Sequence, residues 1–294
     1  DSFGAAIGIY RAAKTLNKKA YIVIDNPTSS IIPLMNTFSD NQDYEADMFV
    51  NNHEAKEIMD DNTLLVVVDT NKPSITQCED LLYMAKMIVV LDHHRQGSDT
   101  IRNSVLSYIE PYASSASEMV AEILQYFTEG IRIRNVEADS IYAGIMIDTD
   151  NFMQKTGVRT FEAAAFLRRC GADVTRVRKL FREDMNDYKA RGETIRNAEL
   201  FRGQFAISEC PSDYVDSPTV VGAQAANELL NIVGVKASFV LTEYKGVIYI
   251  SARAIDEVNV QIIMERMGGG GHLNMAGCQL ETVDLEGARS LLKS

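Results

Sequence analysis

Cysteine is sparse in this sequence and never clustered. Cys78, Cys170, Cys210 and Cys278 stand alone, with no Cys-x-x-Cys pair. That excludes a disulfide framework or a zinc knuckle and points to a reducing compartment. No apolar run approaches the ~18–20 residues a bilayer-spanning helix needs, and no signal peptide is expected ahead of the first strand pattern. Positive charge is also short: 29 Lys and Arg face 41 Asp and Glu, a net charge of −12. Long nucleic acid is therefore a poor partner, since its affinity comes mainly from phosphate neutralisation. A small phosphorylated ligand remains compatible, because metal ions can supply positive charge locally. Internal repeats and low-complexity segments are absent. Histidine is rarer still, four in 294 residues, yet His93 and His94 are adjacent.

What is present is a soluble globular pattern, 46% hydrophobic and 24% charged, long enough for one large or two ordinary domains. In the first half, "AYIVID" (20–25), "DMFV" (47–50), "TLLVVVD" (63–69) and "MIVVLD" (87–92) are short, apolar and β-branched. "FGAAIGIYRAAKTL" and "SASEMVAEILQYF" between them carry helical i, i+3, i+4 spacing. "SIYAGIMID" (140–148) reads either as a buried helix running into a loop or as a strand. Continuous apolar strands separated by helices predict an α/β fold: a mostly parallel sheet flanked by helices. A polar, helix-prone segment over 185–203 reads as a linker helix between residues 1–184 and a smaller α/β unit, 204–294, with a mixed sheet. There "QFAISEC", "ASFVLTEY" and "GVIYISARA" read as strands, "TVVGAQAANELLNIV" as a helix, and Lys245–Gly246 as a hairpin turn.

Acidic residues fall at the ends of apolar segments. Asp69 closes "LLVVVD", Asp92 closes "MIVVLD", Asp148 follows "AGIMI", and Asp1 precedes a glycine-containing helix start. With His93 and His94 added, these carboxylates are expected to converge on one edge of the sheet, where open α/β sheets bind ligands. Carboxylate plus imidazole suits Mn²⁺, Fe²⁺ or Zn²⁺ rather than Ca²⁺. A strand-end Asp alone often only caps a turn; Asp69, His93 and Asp148 together weigh toward function. The second constellation is "MGGGGHLNMAGCQL" (267–280). Gly268, Gly269, Gly270 and Gly271 let backbone approach a ligand and present N–H groups to phosphate, with His272 as a further donor. Ser251 and Arg253 point the same way along a strand. Asn259 starts a helix, as a ligand contact or simply an N-cap. The basic run 168–182 reads as a solvated helix face.

In order and spacing, "VVVDT", "LDHHRQG", "GIMIDTDNF" and "GGGGHLNMAG" resemble the DHH phosphoesterase family with its DHH-associated C-terminal domain, over essentially the whole chain. Within it, "DSFGAAIGIYR", "YIEPYASSASEMVAEIL" and "VNVQIIMERMGGGGHLNMAG" look most like the GdpP type, cyclic-di-AMP phosphodiesterases whose catalytic module is the cytoplasmic end of a membrane-anchored bacterial protein. The resemblance implies two Mn²⁺ ions, with Asp69 bridging them, Asp1, His93 and Asp148 ligating one, and His94 facing the phosphate or supporting the site. Asp69, His93 and His94 would form the catalytic set. Gly268–Gly271 and His272 would hold the nucleotide, closing a cleft over the metals, with Ser251, Arg253 and Asn259 as further contacts. The implied reaction is in-line attack of a metal-activated water on phosphorus, opening cyclic-di-AMP to linear pApA. The family opens with His-x-Asp-x-Asp, and this chain begins at the residue matching the last aspartate. It therefore reads as part of something longer, with one metal site incomplete.

The implied partner is cyclic-di-AMP or a related dinucleotide, with no long nucleic acid and no membrane contact by this module; a homodimer is compatible. The nearest rival is an oligoribonuclease acting on short linear RNA or pApA. From another class comes a cyclic-dinucleotide sensor that binds without hydrolysis. A single-strand exonuclease would call for a basic groove that this acidic chain lacks.

Overall fold

The β-branched runs of the first half form short parallel strands, and the amphipathic stretches between them form covering helices. The computed structural model describes residues 1–28, 31–182, 184–255 and 258–294, which form two units, Asp1–Arg182 and Glu183–Ser294. The first runs α1 (Ser2–Thr15), β1 (Ile22–Val23), α2 (Ile32–Ser39), β2 (Phe49–Val50), α3 (Asn52–Ile58), β3 (Leu64–Val68), α4 (Asp80–Met84), β4 (Met87–Asp92), β5 (Leu106–Ile109), α5 (Ala116–Phe127), α6 (Asn135–Asp148), α7 (Val158–Arg169) and α8 (Val174–Leu180). β1 pairs with β2, and β3, β4 and β5 form a separate sheet in that order, all parallel. Val68 lies opposite Leu91, so the carboxyl ends of β3 and β4 finish side by side. That register delivers Asp69 and His93 to the same place.

"SIYAGIMID" resolves as helix. Residues 137–146 of α6 are all buried, so its apolar run is as continuous as a core strand's, and only its 14-residue length separates the two readings. Ile141 and Ile145 pack with Val120 and Leu124 of α5 in the main core. β5 is not announced by the sequence pattern; Leu106 and Tyr108 are exposed. In the basic run, Arg176 grips Asp139 at 2.6 Å, while Arg168, Arg169, Arg178 and Lys179 are exposed.

The second unit runs α9 (Met185–Arg196), β6 (Glu199–Phe201), β7 (Phe205–Cys210), α10 (Pro218–Leu229), β8 (Ala237–Tyr244), β9 (Val247–Ala254), α11 (Val260–Arg266), β10 (Gly270–His272), β11 (Met275–Leu280) and α12 (Leu285–Lys293). Its sheet, ordered β10-β11-β9-β8-β7-β6, is mixed, with β7 and β8 parallel and the other pairs antiparallel. Lys245 and Gly246 take φ of +52° and +78° between paired Tyr244 and Val247, as a two-residue hairpin requires. The stretch 185–203 does not stand apart as a connector. Ala190 of α9 is fully buried with Ala206 and Ala225, and Glu199–Phe201 is the sheet's edge strand, so this stretch belongs to the second unit.

Candidate metal centre

His93 follows β4 directly, and its side chain is 8% exposed. Its Nε2 lies 3.2 Å from Asp148 Oδ2, 3.3 Å from Asp69 Oδ1 and 3.7 Å from Asp1 Oδ2. Three carboxylates and one imidazole thus converge from residues up to 147 positions apart in sequence. They do not all come from one sheet edge, as the strand-end pattern implied. Asp69 and His93 leave neighbouring strands, but Asp148 ends α6 and Asp1 is the N-cap residue of α1. Asp1 is anchored at the start of α5, accepting from Ala116 N at 2.7 Å and Ser117 N at 2.9 Å, where the helix dipole favours an anion. Asp69 takes the unusual φ of +62°, and Ser2 Oγ donates to its Oδ2 at 2.5 Å.

His93 Nε2 and Asp69 Oδ1 are both buried and lack a hydrogen-bond partner; their close approaches are too poorly aligned to count as bonds. Buried polar atoms are rarely left so. A cation satisfies both at once, and a carboxylate–imidazole donor set is what a first-row divalent metal takes. Two sets of ligand atoms, from Asp1, His93 and Asp148 and from Asp69, His93 and His94, each lie within 4.8 Å of one another. Since one imidazole nitrogen ligates one ion, the two sets describe a single neighbourhood around His93. Its electrostatics are strongly anionic. Burial pushes the His93 imidazole down, but the facing Asp148 and Asp69 carboxylates raise it to about 9. Burial likewise pushes Asp69 up, yet its interactions with His93 and Ser2 leave it below the ordinary carboxylate value.

His94 is held differently. Its Nδ1 lies 2.8 Å from Asp92 Oδ1, and its backbone N–H donates to the same oxygen at 3.2 Å. With that carboxylate accepting at Nδ1, Nε2 is the nitrogen left to face a ligand. Asp92 is fully buried and also accepts from Asn71 Nδ2 at 2.5 Å. Burial would raise its pKa, but these hydrogen bonds hold it below the usual value. Asn71 and Ser2 are not among the residues the sequence singles out for the site, and Asp92 is given no role there beyond that of a converging strand-end acid. Asp92 was visible only as one more strand-end acid, and Asn71 and Ser2 carried no signal.

The glycine run lies in the second unit, and it is not an open loop. Gly268 (φ +82°) closes α11: its N–H bonds Glu265 O at 3.1 Å, and Gly269 N–H bonds Met264 O at 2.8 Å, a Schellman cap. Gly270–His272 is strand β10, paired with β11. A Cβ at Gly269 would lie 2.1 Å from Gly277 O, and one at Gly271 2.4 Å from Ala276 Cα, whereas at Gly270 it would meet nothing within 4 Å. Beside the run lies a groove of about 490 Å³ lined by Gly268, Gly269, Gly270, Ser251, Tyr249 and Gln279, among others. Ser251 and Arg253 share the half-exposed face of β9. Arg253 Nε donates to Asn227 Oδ1 at 2.8 Å, with no carboxylate partner among the described residues. His272 is exposed. Asn259 is an N-cap, its Oδ1 accepting from Gln261 N at 3.0 Å.

Residues 1–145 match the DHH family, N-terminal domain, and residues 205–294 the DHHA1 domain. The whole chain aligns at 42% identity with the cyclic-di-AMP phosphodiesterase GdpP of Bacillus subtilis, and at 38% with the cyclic-di-AMP phosphodiesterase PdeA of Listeria monocytogenes. In each case it spans 45% of the relative's length. An exopolyphosphatase-related protein from Bacteroides fragilis shares the fold, with a TM-score of 0.81 at 20% identity over 100% of this chain and 88% of that one. The motif order, the carboxylate–imidazole centre around His93 and these matches agree: the chain belongs to the DHH family, with a DHH N-terminal domain followed by a DHHA1 domain.

Proposed function

We propose that this chain is the catalytic part of a cyclic-di-AMP phosphodiesterase that depends on Mn²⁺ and yields linear pApA. The observation that carries the reading is the pair of buried, unpartnered atoms, His93 Nε2 and Asp69 Oδ1, facing each other among acidic side chains. The likeness of the whole of this chain to 45% of two proteins named as cyclic-di-AMP phosphodiesterases supports the substrate. In this reading Asp1, Asp69, His93 and Asp148 hold the metal, which when bound supplies an acidified water and neutralises phosphate charge. His94, oriented through Nδ1 by Asp92, presents Nε2 to a phosphoryl oxygen. In the DHHA1 domain, Gly270, Ser251 and Arg253 offer an unobstructed backbone, a hydroxyl and a cation with no carboxylate partner among the described residues to the dinucleotide, with Gly268, Gly269, Gly271 and His272 framing them. We place the module in the cytoplasm, as part of a longer protein.

The test is hydrolysis of cyclic-di-AMP in Mn²⁺ by the full-length protein and its Asp69→Ala variant, with linear diadenylate and cyclic-di-GMP as comparison substrates. Loss of the carboxylate is expected to lower turnover by about 10³-fold, equivalent to ~4 kcal/mol of transition-state stabilisation, with an unchanged circular dichroism spectrum. Undiminished hydrolysis by folded Asp69→Ala contradicts the assignment. Equal or better cleavage of the linear dinucleotide moves it to an oligoribonuclease, and tight binding without cleavage to a sensor.

A further inference from the structure

The chain leaves α6 through an uncommon backbone path. One residue beyond Asp148, after Thr149, three consecutive residues other than glycine are left-handed: Asp150 at φ +47°, Asn151 at +58° and Phe152 at +68°. L-residues normally enter this region singly. Asp and Asn tolerate it, but a bulky side chain such as Phe is an outlier there. Such a conformation persists only where its surroundings over-determine it, and it concentrates at ligand clamps and active sites.

The surroundings here are specific. Thr149 is fully buried. Its Oγ1 donates to Ile145 O at 2.7 Å and accepts from Phe152 N at 3.0 Å. Backbone bonds from Asn151 N to Met146 O at 2.8 Å and from Gln154 N to Thr149 O at 2.9 Å close the turn on both sides. The Phe152 ring packs on Tyr142 of α6, 5.5 Å between centroids, and stacks on Phe161 of α7 at 6.0 Å. Asp148 is the last residue of α6, a position that would ordinarily fray. Instead it is followed by a hydroxyl tied back into the helix and a half-buried ring packed against the core, and its carboxylate stands 3.2 Å from His93 Nε2.

We propose that Thr149 and Phe152 are positioning residues, which use the strained turn to hold the Asp148 carboxylate in place for metal binding. This rests on the metal-centre reading above. Neither side chain is offered as a ligand: Thr149 Oγ1 is committed to the backbone and Phe152 has no donor atom.

The experiment titrates full-length protein with Mn²⁺ and follows the free-ion EPR signal, independently of catalysis, for wild type, Thr149→Val, Thr149→Ser and Asp148→Ala. Val keeps the shape of Thr without its hydroxyl, and Ser keeps the hydroxyl. Thr149→Val is expected to bind Mn²⁺ about 10–100-fold more weakly, the range seen when a group supporting a metal ligand is removed. Thr149→Ser should stay within about twofold of wild type. A purely structural role would lower the metal-free melting temperature of Thr149→Val and leave Mn²⁺ affinity intact. If Asp148→Ala weakens Mn²⁺ binding while folded Thr149→Val does not, the positioning role is overturned and the metal centre stands. If Asp148→Ala has no effect on Mn²⁺ binding, both fall. Should Thr149→Val fail to fold, Phe152→Leu, which keeps an apolar side chain but loses the ring contacts, carries the same expectation and the same grounds for rejection.

Discussion

Two motifs stand out in this chain, the acidic–histidine centre of the DHH domain and the glycine run of the DHHA1 domain, and they are built in opposite ways. The first is assembled over long range: residues 1, 69, 93 and 148 meet because β3 and β4 end in register and two helices bring their termini alongside. Its side chains are mostly buried, charged and under-satisfied. The second is local, lying within residues 268–280, and Gly268 and residues 270–275 of it are exposed. Its composition is explained largely by the backbone, with Gly268 capping α11 and Gly269 and Gly271 pressed against β11. Only Gly270 answers to no such demand. A chemical motif and a steric motif can look equally conspicuous in sequence, and the atoms around them tell the two apart.

That contrast can be broken most forcefully in the glycine run itself. Gly271→Ala combines an unfavourable φ of +148° with a Cβ 2.4 Å from a backbone carbon. It is expected to cost about 1–3 kcal/mol or more, as overpacking does, read as a fall in the urea midpoint. Gly269→Ala should behave alike. A fully stable Gly271→Ala would show that the hairpin yields easily and that its glycines serve another purpose.

Next comes Asp92→Asn, which replaces an acceptor-only group with one that can donate toward His94. Turnover is expected to fall about 10–100-fold with the fold intact, as when a histidine loses its orienting carboxylate. An unaffected rate would remove His94's orientation from the account. Gly270→Ala is the smaller counterpart of Gly271→Ala. With free space and no positive φ it should leave stability within about 0.5 kcal/mol, so any loss of dinucleotide affinity reports ligand contact alone. The smallest effect lies beneath the groove. Burial pushes the Cys278 thiol up to about 11, so at pH 8 very little of it is thiolate. Mass spectrometry after brief iodoacetamide treatment should find Cys278 unmodified in the native state and alkylated in urea. Rapid native alkylation would mean that β11 opens readily.

Much of this architecture could be read from residues. Asp69 and the two histidines sit at ends of β-branched runs, and Lys245–Gly246 between two strand patterns marks its hairpin. Other features had no local trace. The apolar run before Asp148 suits a helix or a strand, because α6 is buried on every side and offers no polar face to set a period. β5 is short and exposed, so it lacks the apolar signature of its neighbours. The docking of Asp1 onto Ala116 and Ser117 spans more than a hundred residues, so no local pattern announces it. Asp92 is visible as a strand-end acid, yet only its bonds to His94 and Asn71 separate it from the acids that face His93 Nε2.

The most direct measurement is anomalous scattering at the manganese edge from crystals grown in Mn²⁺. The account predicts a peak within about 2.0–2.3 Å of both Asp69 Oδ1 and His93 Nε2, with the Asp148 carboxylate completing the contact. An anomalous peak elsewhere in the chain, or none at saturating Mn²⁺ in a well-ordered crystal, would contradict it.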